Sequence, residues 1–417
     1  MMRHLVFVLA AFLVPYCDVR SQQWEVWDMD NSPLPSTTVK ALVEDGEGGI
    51  WVGTDWGLCH FDGETWQVYQ QQNSGLPGND VNAIDIDAQG RLWVATTEGL
   101  AQKDGDTWST YTTINSSIPE NEARGLFVDH LDRVWLATSG GLACFTGSEW
   151  NVYDNTPESY SGLLLNTSNT RCVAVRPDGL ICLGTFNGGL HFITEGSVHF
   201  LTTFADGFYD NTANDVLFDP VSGDRWVATP SAGLLRQQGP AQGGVWYQWN
   251  SSIAFPSNGL MCLDMDPQRR VWCGTQVSGL VRVEQDGSFS QFNQSNSGLP
   301  DDELRSVMAA ADGSVWVGTT YGGLARLTEE VSVEEPEQSQ GAQLFPNPAR
   351  GTTTLVRNGV AANFSWVLRS LDGALVRTGS GNGLSEQLVL SGLAPGGYVL
   401  TLEGHAFVEV LRLIVEE

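Results

Sequence analysis

Residues 41–58 read ALVEDGEGGIWVGTDWGL, residues 83–100 read AIDIDAQGRLWVATTEGL and residues 125–142 read GLFVDHLDRVWLATSGGL. Four looser copies follow: CVAVRPDGLICLGTFNGGL at 172–190, VLFDPVSGDRWVATPSAGL at 216–234, CLDMDPQRRVWCGTQVSGL at 262–280 and SVMAAADGSVWVGTTYGGL at 306–324. Their shared anchor falls on Trp51, Trp93, Trp135, Cys182, Trp226, Trp272 and Trp316, at successive spacings of 42, 42, 47, 44, 46 and 44 residues. A period of that length is one four-stranded propeller blade. The expected fold is therefore all-β, a seven-bladed β-propeller.

Each unit has a local physical reading. A short apolar strand, Val39 to Val43 in the first copy, runs into an Asp/Gly turn. There side-chain capping and glycine's freedom favour a tight reversal. Ile50 to Thr54 returns, Gly57-Leu58 opens a third strand, and a fourth ends in an aromatic pair: Trp66/Tyr69, Trp108/Tyr111, Trp150/Tyr153. Ten residues before the anchors stand Ala41, Ala83, Gly125, Cys172, Val216, Cys262 and Ser306, mostly small, as a crowded axis requires.

The seventh copy has no aromatic fourth strand of its own. Trp24-Glu25-Val26-Trp27 matches Trp66-Gln67-Val68-Tyr69 at an offset of 42 residues. The strand at 24–28 is thus expected to complete the last blade and remove its open edge. That assigns 22–328 to the propeller.

Gly75-Leu76-Pro77-Gly78-Asn79-Asp80-Val81, followed by Asp87 to Thr96 and Gly99-Leu100, resembles the two-component-regulator propeller repeat. The resemblance runs over roughly residues 24 to 328 and is weakest where Cys182 replaces tryptophan and where the fifth turn is altered. In that family such propellers often form the periplasmic sensor of a membrane histidine kinase. This sequence shows neither a later membrane span nor a kinase, so the resemblance does not carry the sensor role over.

Both ends point to export. Arg3 and His4 precede an apolar run from Leu5 to Pro15, too short to span a bilayer and suited to a signal peptide over 1–21, cut before Gln22. Bulky Tyr16 argues against lipidation at Cys17. Residues 329–341 form an acidic, solvated linker, and 342–417 show the alternating strands and turns of a small β-sandwich. This last segment resembles the C-terminal sorting domain of type IX secretion substrates of the Bacteroidetes. The matching pieces are Phe345-Pro346-Asn347-Pro348, Leu368 to Gly373 and Leu393 to Leu400; Val415-Glu416-Glu417 departs from the basic ending common there. The resemblance implies a secreted or outer-membrane-surface location and the type IX machinery as partner.

The formal net charge of −28, with Lys40 and Lys103 the only lysines, excludes the cationic footprint a nucleic-acid partner needs. Cys172/Cys182 and Cys262/Cys273 leave two hairpin disulfides open, against the plainer reading of small core residues. The histidines, His4, His60, His130, His191, His199 and His405, form no metal motif, and no nucleophile elbow or phosphate loop is present, so no cofactor is expected. Asp85/Asp87 and Asp264/Asp266 pair carboxylates along a strand; turn capping is the plainer reading and calcium the sharper.

The turns after the anchors share one rim with the loops between blades. The ligand-binding candidates there are Asp55, Trp56, Glu98, Phe186, Asn187 and Tyr321, with Tyr160, Phe204, Phe208, Tyr209 and Phe255 in neighbouring loops. Exposed aromatics beside acids and amides suit sugar stacking or peptide capture. The reading is a monomeric surface module binding a glycan or protein, not an enzyme. The alternatives are a polysaccharide lyase or hydrolase at the propeller mouth, and a sensing or accessory partner of a surface assembly. Converging ionisable groups at the mouth would favour the enzyme, and an uncharged aromatic mouth the binder.

Overall fold

The computed structural model describes residues 21–203, 208–239, 244–330, 342–357, 364–370, 374–382, 385–404 and 407–416. The expected signal peptide, most of the linker, His4, Cys17, Phe204, the Asp372-Gly373 turn and His405 lie outside the described residues. Gln22–Glu329 form one compact unit and Glu330–Glu417 belong to another.

The first unit is built of antiparallel four-stranded sheets, seven among the described residues, which we call blades. Their innermost strands are Val39–Glu44, Val81–Ile86, Ala123–Val128, Thr170–Val175, Asp215–Phe218, Leu260–Met265 and Leu304–Ala309. Each innermost strand contacts that of the next blade, and Leu304–Ala309 contacts Val39–Glu44, closing a ring. The last blade takes its outer strand from the start of the chain: Ser21–Trp27 pairs with Leu324–Glu330. Trp27 stacks on Trp316 at 5.2 Å, so the closing strand is held by ring contact as well as by its ladder.

Packing between blades explains the anchor. The strand alternation sends Trp51 towards blade 2, where it packs with Leu92, while Ile50 faces blade 7 and packs with Trp316. The same pairing joins Trp93 to Val134, Trp135 to Ile181, Trp226 to Val271 and Trp272 to Val315. Between blades 4 and 5 both partners change: the anchor is Cys182, and Arg225 stands where the other blades carry an aliphatic residue. The Arg225 guanidinium lies 5.2 Å over the Phe192 ring and is fully buried, filling the space that an indole fills elsewhere.

The Asp/Gly turn is a capping device. Asp129 accepts the backbone N–H groups of Leu131 and Arg133 at 3.0 Å each, the Arg133 Nε at 2.7 Å and the Trp135 indole N–H at 2.9 Å. Asp87 and Asp266 take the indoles of Trp93 and Trp272 in the same way, also at 2.9 Å. The turn-capping reading holds for these two. Their strand partners Asp85 and Asp264 do something else: each accepts a backbone N–H from the next blade's innermost strand, Val128 at 2.7 Å and Ala309 at 2.7 Å.

One sequence expectation is corrected and one open question is answered. The fifth turn holds one extra residue, so Trp226 pairs with Leu217 and the small-residue position falls on Asp215, opposite Ala228, rather than on Val216. The cysteines follow the plainer reading of small core residues: the six of the described residues are buried free thiols. Cys172 pairs with Gly184 and Cys182 with Ala174, while Cys262 pairs with Gly274 and Cys273 with Leu263, so neither thiol pair is directly opposed.

The second unit is two sheets. One has the order Ala342–Phe345, Thr352–Arg357, Ser385–Val389; the other Leu375–Gly381, Phe364–Ser370, Gly396–Gly404, Phe407–Val415. Leu355, Phe364, Leu368, Leu388, Leu400 and Leu413 fill its core. Asn347 of the Phe-Pro-Asn-Pro segment acts as a backbone mimic: its Nδ2 donates to the Arg412 carbonyl at 2.7 Å and its Oδ1 accepts from Ile414 N–H at 2.8 Å.

Candidate ligand site at the ring mouth

Seven threonines build one end of the ring. In each blade a Thr ends the second strand or, as Thr229 does in blade 5, directly follows it, and its hydroxyl donates to a glycine carbonyl three or four residues on, from Thr54 to Gly57 at 2.8 Å through Thr319 to Gly323 at 2.9 Å. A side chain at Gly57 would strike the Tyr69 carbonyl, and Gly57 has φ +142°, so only glycine closes this turn. These turns lie at the end where the innermost strands begin, because Val39 pairs with Thr54 and Leu304 with Thr319.

At the same end, six innermost strands carry a β-bulge at their second residue. A bulged residue loses its ladder partner and its side chain is re-aimed. The residues so released are Lys40, Asn82, Arg124, Arg171, Met261 and Arg305; in blade 5, which has no bulge, Asn214 precedes the strand. All seven line one cavity of 520 Å³ at the mouth of the ring.

The cations there differ in their partners. Lys40 pairs with Asp80. Arg124 donates from Nε to Glu122 at 2.9 Å and from Nη1 to Asn169. Arg305 bonds Thr320 Oγ1 at 2.9 Å and Glu303 at 2.8 Å. Arg171 has no ion pair or side-chain hydrogen bond among the described residues, and its guanidinium rests 5.9 Å from the Phe186 ring centre. Burial, with the like charge of Arg124 adding to it, pushes the Arg171 pKa down.

The sequence candidates fall on this face. Trp56 is 60% exposed and Tyr321 72% exposed on adjacent blades, joined where Thr38 Oγ1 donates to the Thr320 carbonyl at 2.9 Å. Asp55 is half-buried, and its Oδ1 has no hydrogen-bond partner. Glu98 is exposed, with its chain against the Gly78 backbone. Phe186, 44% exposed, and Asn187, held at φ +62°, lie beside Arg171 on blade 4. Two loop aromatics are corrected: Phe208 is 6% exposed and packs on Trp246, and Phe255 is 2% exposed and packs on Phe289, so both wedge blades together. Tyr160 and Tyr209 stay exposed.

Sequence reasoning missed the ring of bulged residues. A lysine, two asparagines, three arginines and a methionine share no residue type, and only the position before the small residue unites them.

The mouth is therefore charged rather than aromatic-lined, the pattern set out above as favouring an enzyme. Most of its charges suit holding a ligand, and Asp215, which burial pushes up to about 7, is the lining carboxylate poised for proton transfer. Arginine does not give up its proton near neutral pH, and no histidine lines the cavity. Among the lining carboxylates, Asp80 and Glu122 are in ion pairs, and Asp215 accepts Leu263 N–H and Val216 N–H at 2.8 Å each. His191 is buried in blade 4 and His60 is bound to Asp45 at 2.7 Å, both away from the cavity lining.

The family profile described as "Two component regulator propeller" matches residues 33–56 and 75–98. Among solved structures, the extracellular domain of a hybrid two component system from B. thetaiotaomicron aligns with 19% identity and a TM-score of 0.63 over 94% of this chain and 57% of that one. The fold is a β-propeller. PorZ of Porphyromonas gingivalis, described as an essential bacterial surface component of the type-IX secretion system, aligns at 15% identity, TM-score 0.56, covering 94% of this chain and 60% of PorZ. Virginiamycin B lyase from Staphylococcus aureus aligns at 10% identity, TM-score 0.59, over 74% of this chain and 100% of the lyase. The chain thus spans less than two thirds of the first two structures, and at these identities the likeness is one of propeller fold. A search of curated proteins finds no match. No helix among the described residues is long and apolar enough to cross a membrane.

Proposed function

We propose that this protein is an exported β-propeller that binds a glycan or protein ligand as a monomer at the cell surface, through the face around the ring mouth. The observation that supports this reading most is the ring of bulge-directed polar side chains around a 520 Å³ cavity, with Trp56 and Tyr321 exposed on the same face. Concave sites with a few aimed polar groups and aromatic walls are the usual form of ligand pockets. The signal-like segment at 1–21 takes the chain across the inner membrane, and the two-sheet C-terminal unit hands it to type IX secretion machinery. The likeness to PorZ and to extracellular propeller domains agrees with a surface location.

The test is a glycan and peptide array probed with the mature chain, with Trp56→Ala/Tyr321→Ala beside it. The reading expects binding that drops by about tenfold or more in the double variant, the usual scale for losing exposed aromatic anchors. Binding unchanged in that variant would sink the proposed face. Truncating the C-terminal unit should leave the protein inside the outer membrane; surface delivery without it would remove the type IX assignment.

A further inference from the structure

In this chain 49 acidic residues face 21 lysines and arginines, yet four of those cations line one cavity. Crowding like charges together costs free energy through their mutual repulsion unless something of opposite sign joins them. Three of the four have such a partner in the rim itself: Lys40 with Asp80, Arg124 with Glu122, Arg305 with Glu303. Arg171 has none.

A half-buried guanidinium with free donors is incomplete. Its planar fork matches a carboxylate oxygen pair, and charge-assisted bonds of that type are among the strongest a protein surface makes. Arg124, the cation of the neighbouring blade, adds a second positive group, and Phe186 offers a flat apolar face directly beside the fork. The amides of Asn82 and Asn214 are committed, donating to the Ala123 and Leu260 carbonyls at 2.9 and 2.7 Å. The Asn82 oxygen already accepts from Lys40 Nζ at 3.3 Å, and Asn214 lines the same cavity.

We infer that the mouth seats an acidic glycan, a sugar carrying a carboxylate that Arg171 holds with Arg124 while Phe186 packs on the ring face. This rests on the proposed function and narrows its ligand. A uronate fits better than an acidic peptide for two reasons. One unpaired cation calls for isolated anionic groups, not a run of them, in a chain of net charge −28. The exposed aromatics, Phe186, Trp56 and Tyr321, need flat apolar faces spaced between charges, as pyranose rings provide.

The experiment titrates the full chain with tetragalacturonate, a neutral galactose tetrasaccharide and an octapeptide of alternating Asp and Gly. The expected order is tetragalacturonate tightest, by about tenfold or more over the neutral sugar, with affinity falling as salt rises. Arg171→Gln should lose about tenfold for tetragalacturonate and change neutral-sugar binding less than about twofold, and Arg171→Lys should fall between, since it keeps charge without the fork. Melting temperatures of both variants within about 2 °C of the parent establish that they fold. Equal affinity for acidic and neutral sugars, both lost in Trp56→Ala/Tyr321→Ala, overturns the acidic-glycan assignment and leaves the proposed face standing. Binding of the peptide alone, or tetragalacturonate binding indifferent to Arg171→Gln, also overturns it. Sugar binding indifferent to both the Arg171 and the Trp56/Tyr321 changes overturns the face itself.

Discussion

Arg225 of blade 5 lies 5.2 Å over the ring of Phe192 in blade 4 and takes the place of the tryptophan that Cys182 has lost. The two departures from the repeat, a small anchor and a large neighbour, are one compensated change. Nη1 of Arg225 bonds Gln237 at 2.8 Å and the Gly239 carbonyl at 3.0 Å, while Nε and Nη2 are buried without a partner among the described residues.

This interface therefore lends itself to a double-mutant cycle. Arg225→Val should destabilise by about 2–4 kcal/mol because it opens a cavity. Cys182→Trp alone should cost about 1–3 kcal/mol by overpacking against the guanidinium. The pair, Cys182→Trp/Arg225→Val, recreates the tryptophan–aliphatic contact of the other blades and should recover most of the loss. Urea unfolding measures all three; additive losses would show that the two sites do not share their space.

The Asp–Trp bond gives a second comparison. Trp135 donates its indole N–H to buried Asp129 at 2.9 Å, whereas the Trp226 indole N–H is buried with no acceptor among the described residues. Trp135→Phe should cost about 1–2 kcal/mol more than Trp226→Phe, since the first breaks a bond to a carboxylate and the second relieves an unmet donor. Equal losses in chemical denaturation would count against the capping role of the turn aspartates.

Asp85, Asp215 and Asp264 tie innermost strands across blades, and burial pushes their pKa values up to about 6, about 7 and about 6, against backbone N–H bonds that pull them down. The unfolded carboxyls titrate near 3.9, so between about pH 4 and about pH 7 the native state binds more protons and stability falls as pH rises. Burial holds His191 down at about 4, which acts in the opposite direction between about pH 4 and 6.5. Comparing the parent with Asp85→Asn/Asp215→Asn/Asp264→Asn cancels the His191 contribution. The parent should lose more melting temperature than the variant from about pH 5 to about pH 8; parallel curves would refute the assignment.

Ring closure is testable at Trp27. Trp27→Ala removes the stack on Trp316 and the contact with Phe61 at 5.5 Å, and should cost about 3 kcal/mol or more. Deleting the closing strand bares the edge of Leu324–Glu330, and sedimentation should then show concentration-dependent association. A deletion variant that stays monomeric with unchanged melting would mean that the strand is dispensable.

The repeat made the propeller legible because one blade is a local object. Its turn aspartates, its closing Thr/Gly pair and its alternating strands answer to neighbours within about one repeat, and the period is written directly in residues such as Trp51, Trp93 and Trp135. The split last blade was legible too, since Trp24-Glu25-Val26-Trp27 repeats its neighbour at the same offset. The rim positions of Trp56, Glu98, Phe186 and Tyr321 followed from strand direction. Exposure did not: Phe208 and Phe255 sit in equally polar loops and are buried against the next blade.

What the tertiary structure alone decided lies between blades. The Cys182–Arg225 exchange and the inter-blade bonds of Asp85, Asp215 and Asp264 all join residues from different repeats. The mouth is the sharpest case. Lys40, Arg124, Arg171 and Arg305 stand on four different blades and look like isolated surface charges in sequence. A bulge at one position in each strand turns them to a common axis, and ring closure brings that axis together. Sequence periodicity specifies the blade because hydrogen bonds and turns are local; the site arises from superposing blades around a ring, which no single repeat contains.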